Sequence, residues 1–71
     1  MNKDGAMTHL KLLRLLYDLE VSRSTMFRII EPINSMTSPE EIISREKELI
    51  SLLERCKSET EVLQAMDEAD L

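Results

Sequence analysis

Apolar side chains recur along this chain with a helical period, in four blocks. In the first, Leu10, Leu12, Leu13, Leu15, Leu16, Tyr17 and Leu19 follow Thr8, which can cap a helix. The block predicts a helix from about Thr8 to Glu20. At 100° per residue its apolar positions spread over roughly 220° of the circumference, against about 100° for an ordinary surface helix. Lys11, Arg14 and Asp18 share the narrow polar remainder. So wide an arc predicts that this helix is central, or packs on one side within the protomer and on the other against a second chain.

Ser22 caps a second, shorter helix, with Met26, Ile29, Ile30 and Ile33 as its apolar face. Pro32 disfavours the α conformation at the preceding residue, so this helix is expected to end or kink at Glu31. Asn34, Ser35, Thr37 and Ser38 read as a loop. Ser38-Pro39-Glu40-Glu41 then supplies a hydroxyl cap, proline at the first helical position and a carboxylate placed for a capping box. Ile42, Ile43, Leu49, Ile50, Leu53 and Cys56 form the buried stripe of this third helix. Ser58-Glu59-Thr60-Glu61 repeats the start signal ahead of Val62, Leu63, Met66 and Ala69, predicting a fourth helix from about Glu59 to Glu68. The alternative is one continuous helix from Pro39 to about Asp67, because neither glycine nor proline separates the two. The expected fold is all-α, a small bundle of three to four short helices.

Composition sharpens this picture. Aromatic residues are only 3% of the chain and glycine occurs once, so strand patterns are missing. At 71 residues there is one domain, and a core of that size rarely supplies more than about 3–5 kcal/mol. A single cysteine excludes an internal disulfide, and one His with one Cys cannot complete a zinc site. Oligomerisation or a partner is the remaining means of stabilisation. Gly5-Ala6-Met7 resembles a scar left by a cloning vector; residues 1–7 are therefore expected to be a disordered tail or vector remnant, with 8–71 as the single helical domain. No apolar run is long enough for a transmembrane helix, and Met1–Met7 lacks the apolar core of a signal peptide. With the unpaired cysteine, an intracellular, cytoplasmic setting is expected. Whether the chain is a whole protein or part of a longer one is open.

Charge is uneven. Residues 1–35 carry a net +1 and residues 36–71 a net −6. Contact with nucleic acid would have to use the first half and hold the second away from phosphates. An acidic half of this kind suits a basic protein partner better than nucleic acid or an anionic membrane.

Candidate chemistry is sparse. His9 has no acidic residue at i+3 or i+4 to orient it and is expected to be a solvated first-turn residue. Cys56 lies on an apolar stripe and is expected to be buried and inert. The pairs Glu40/Glu41 and Asp67/Glu68/Asp70 lack the spacing of a calcium loop and read as solvated faces. Leu12-Leu13-Arg14-Leu15-Leu16 matches the L-x-x-L-L pattern of groove-docking helices, although core packing explains the same leucines. No nucleophile–base pair, metal cluster or phosphate-cradling loop is present. No enzymatic activity, cofactor, metal or small-molecule substrate is therefore implied.

Val21-Ser22-Arg23-Ser24-Thr25-Met26-Phe27-Arg28-Ile29-Ile30 resembles the turn and recognition helix of helix-turn-helix DNA-binding proteins, a resemblance confined to residues 16–30. It implies a dimeric transcriptional regulator with Arg23, Ser24, Phe27 and Arg28 facing the major groove. Two positions depart from that pattern: Glu20 stands where the turn usually has glycine, and Leu16 where a small residue lets the helices approach. The residues themselves favour a different function. They read as a small acidic helical protein–protein interaction module that self-associates and acts as a regulator, adaptor or chaperone, with a protein partner that includes itself as a homodimer. Leu10, Leu12, Leu13, Leu15, Leu16, Leu19 and Phe27 are its candidate interface, and DNA is the alternative partner.

Overall fold

The computed structural model describes residues 3–71, and four helices account for most of them: α1 (Lys3–Asp18), α2 (Arg23–Asn34), α3 (Pro39–Leu53) and α4 (Glu59–Glu68). No strand occurs among the described residues. The Ser58 signal thus starts a separate helix rather than continuing α3. Met1 and Asn2, part of the expected tail, lie outside the described residues. Within them, α1 begins at Lys3, five residues before Thr8. Gly5 falls on the face of Leu12 and Leu16 and is buried, so packing can offset the roughly 1 kcal/mol that glycine costs a helix.

Three serines start the later helices as local chemistry dictates. The hydroxyl oxygens of Ser22, Ser38 and Ser58 accept from the backbone N–H three residues on, at Thr25 (3.4 Å), Glu41 (3.4 Å) and Glu61 (3.3 Å). At α4 the returning carboxylate reaches one residue further back than in a standard capping box, with Glu61 Oε1 accepting from Lys57 N–H at 2.6 Å.

α1 ends in a left-handed turn. The N–H of Glu20 donates to Tyr17 O (3.0 Å) and that of Val21 to Leu16 O (3.5 Å), with Glu20 at φ 53°. This is the Schellman arrangement that normally employs glycine. A left-handed L-residue costs about 1–2 kcal/mol, partly offset in any Glu20→Gly variant by the roughly 0.4–1 kcal/mol of added chain entropy in the unfolded state. Glu20→Gly should therefore raise stability by about 0.5–1 kcal/mol in a urea titration; a lower midpoint would show that the Glu20 side chain contributes more than its backbone costs.

α2 does not stop at Glu31. It continues through Pro32 to Asn34, and the N–H groups of Ser35 and Met36 close it on Glu31 O (3.2 Å) and Ile33 O (3.1 Å). Ile33 explains the continuation: it is buried, and the extra turn carries it into the core.

The core draws on all four helices: Leu12 and Leu16, Ile29 and Ile33, Leu49, Ile50, Leu52 and Leu53, and Val62 and Met66. α3 contributes most to it and packs against each of the other three. The expectation that α1 is central is corrected accordingly. α1 lies along α3, and a single helix–helix contact covers only part of its 220° apolar arc.

Candidate functional site

The arc of α1 divides into two faces. Leu12 and Leu16 have 0% exposure and are core. Leu13, Leu15 and Leu19 are half-buried, the last two against the core. Leu10 (65% exposed) and Tyr17 (71%) lie outside the core, and Met7 (60%) borders a cleft against Lys47, Ile50 and Glu54 of the α3 side. With exposed Arg14, these three follow a 3-4-3 spacing, Met7–Leu10–Arg14–Tyr17, which falls within about 80° of arc on the outer face. That is the seam pattern of a two-helix coiled coil, with one polar residue in it. Of the candidate interface leucines, Leu12 and Leu16 thus lie in the core, whereas Met7 and Tyr17, outside the candidate set, are exposed with Leu10. The 3-4-3 spacing was visible in the sequence, but the leucines beside it hid which positions the core would take.

Phe27 is also exposed, at 64%, on α2. Arg23 and Ser24 are exposed beside it. Arg28 is engaged: its Nη2 donates to Asp67 Oδ1 (3.1 Å) and to Leu71 O (3.3 Å), tying α2 to the end of α4. The start of α2 is occupied too. Glu59 Oε2 accepts from the Ser22 N–H (3.1 Å), the Ser22 hydroxyl and the Thr25 hydroxyl. One carboxylate thus sits at the N-termini of both α2 and α4, where helix dipoles favour negative charge. The four residues of the DNA reading share one helix, but an acidic group holds its first turn and an aspartate holds Arg28.

Hydrogen bonds from the Ser22 and Thr25 hydroxyls, then from the Ser22 amide, hold the Glu59 carboxyl below the usual 4.5. A depressed value means that Glu59 stabilises the fold above the ordinary carboxylate range and loses that contribution as pH falls through its own lower value. The urea midpoint should accordingly drop on acidification below about pH 4.5, and the drop should be smaller in Glu59→Gln. Equal acid sensitivity in the two proteins would remove Glu59 from this role.

His9 is not the solvated residue expected. Its Nδ1 lies 2.6 Å from Oε2 of Glu46, whose side chain has 0% exposure, while that of His9 is 38% exposed. Glu46 Oε1 is buried with no hydrogen-bond partner. The signal for Glu46 was available: it sits three or four residues from Ile42, Ile43, Leu49 and Ile50, in the middle of the α3 stripe. Its partner is 37 residues away in sequence and left no local trace.

Cys56 is half-buried, its Sγ 3.3 Å from Leu52 O. Burial pushes its thiol up from 9.0, Glu61 adds to the rise and Arg55 opposes it. A low-reactivity thiol results. Among the described residues no cluster of His, Cys, Asp and Glu could hold a metal ion, and no helix is long and apolar enough to cross a membrane. No protein-family model matches this chain, and no curated protein or solved structure is significantly similar to it.

Proposed function

We propose that the protein is a helical protein–protein interaction module that self-associates through the outer stripe of α1. The observation behind this reading is the exposure of Met7, Leu10 and Tyr17 at coiled-coil spacing on one helix face. A second copy offers the same stripe, and a two-fold contact uses one patch twice. Arg14 within the seam is the kind of polar residue that sets register and orientation at some cost in affinity. The small core gives such a contact something to stabilise. A regulator, adaptor or chaperone role fits a domain whose working surface is a helix face rather than a cleft.

Leu10→Glu combined with Tyr17→Glu tests the stripe. Both side chains are exposed, so the helical circular dichroism signal should be retained while association is lost. Association that survives both charges would place the contact elsewhere. The DNA reading makes a different demand: a sequence-selective gel shift by the wild type, weakening with salt from about 50 mM upward. With Glu59 at the α2 N-terminus and Arg28 on Asp67, we expect no such shift.

A further inference from the structure

Between the end of α3 and α4 runs an open groove of about 500 Å³. Leu52, Cys56, Ala65 and Ala69 line its apolar part, and Glu61 and Glu68 line it from α4 with Arg55 across from them. Ala65 and Ala69 lie one turn apart on the same face, and side chains this small let a second helix come close. The α4 side of the groove has one sign: from Ser58 to Leu71 every ionisable side chain is acidic, while the α3 end brings Arg55 and Lys57 on either side of Cys56. Glu59 and Asp67 are spent on α2. Glu68 has no partner among the described residues, and the one cation in the lining, Arg55, turns its Nε back onto Ser51 O at 3.3 Å. The groove therefore presents a narrow apolar strip bordered by carboxylates along its α4 side.

We propose that this groove receives the apolar face of a short amphipathic helix flanked by lysine or arginine, supplied by a partner protein. An acidic rim disfavours phosphate backbones and anionic headgroups and favours a cationic helix, which would be steered to it electrostatically. A second copy is a poorer occupant. The exposed stripe of α1 carries a single basic residue, Arg14, and so offers little charge complementarity to the groove's carboxylates. The proposal extends the reading of the protein as an interaction module, but it uses a surface separate from the α1 stripe.

Cys56 provides a built-in reporter. The probe is a synthetic helical peptide of about 18 residues with leucines on one face and lysines on the other, beside a counterpart carrying glutamates for the lysines. On the full chain, the lysine peptide should bind with an affinity that falls as salt rises, and at saturation it should slow maleimide labelling of Cys56 by about tenfold or more. The glutamate peptide should do neither. Ala69→Tyr fills the groove without changing charge and should weaken the lysine peptide by about tenfold or more, its helical signal intact. Glu61→Lys with Glu68→Lys should reverse the preference between the two peptides. Absent binding at low salt, unchanged Cys56 labelling, or indifference to Ala69→Tyr would each overturn the proposal. So would protection of Cys56 by raised protein concentration alone, which would assign the groove to a second copy. The Leu10→Glu, Tyr17→Glu chain should bind the lysine peptide as the wild type does, so failure of the groove and failure of self-association are read separately.

Discussion

His9→Ala should destabilise the fold by about 3 kcal/mol, a loss comparable to the whole stability expected of a domain this small. Among the described residues the imidazole is the one hydrogen-bond partner of the buried Glu46 carboxyl, whose other oxygen has none. Removing one partner of a buried pair costs about 3–5 kcal/mol. We take the lower end because His9 is itself 38% exposed, so water can follow it inward when it is removed. The complementary change has the opposite sign. Glu46→Leu deletes the carboxyl, keeps the volume and joins the Ile42, Leu49 and Leu53 stripe, so it should be neutral or stabilising by about 1–4 kcal/mol. In the double variant the His9 substitution should lose most of its cost. Urea titrations of the four proteins form the cycle; a His9→Ala change within about 0.5 kcal/mol of wild type would mean that the pair contributes little.

Leu16→Ala should cost about 2–5 kcal/mol by leaving a cavity in the centre of the bundle. The position is informative because a helix-turn-helix pair usually places a small residue there to bring its helices together. Here Leu16 has 0% exposure and is packed in the common core. Alanine at Leu10, 65% exposed on the same helix, should change stability by no more than about 0.5 kcal/mol. The contrast between these two leucines, six residues apart, is a direct check on which face of α1 is buried. A neutral Leu16→Ala would show that α1 and α2 can close up around alanine.

Local chemistry was the most legible part of this chain. Ser22, Ser38 and Ser58 each cap a helix because the capping bond spans only three residues, and the break before α4 follows from the same signal. The positive φ at Glu20 falls where the turn pattern calls for glycine. What depends on distant neighbours was not legible. Pro32 is carried within a helix because Ile33 has core to reach. α3 rather than α1 is central because Leu49, Ile50, Leu52 and Leu53 pack towards three helices, whereas the longer leucine run of α1 meets cover on one side only. Glu46 lies in the middle of an apolar stripe and Glu59 in a helix-start pattern, but their partners, His9 for one and Ser22 and Thr25 for the other, lie 34 to 37 residues away. On α1 the leucines divide between two environments that their common residue type does not distinguish: Leu10 is exposed beside Met7, Arg14 and Tyr17, while Leu12 and Leu16 are core.

Sedimentation equilibrium of the wild-type chain across a concentration series bears most directly on the proposed self-association. A contact built on the α1 stripe predicts an average mass that climbs from 8.2 kDa towards twice that value at protein concentrations on the order of tens of micromolar. A folded protein that stays at 8.2 kDa throughout the series would contradict it.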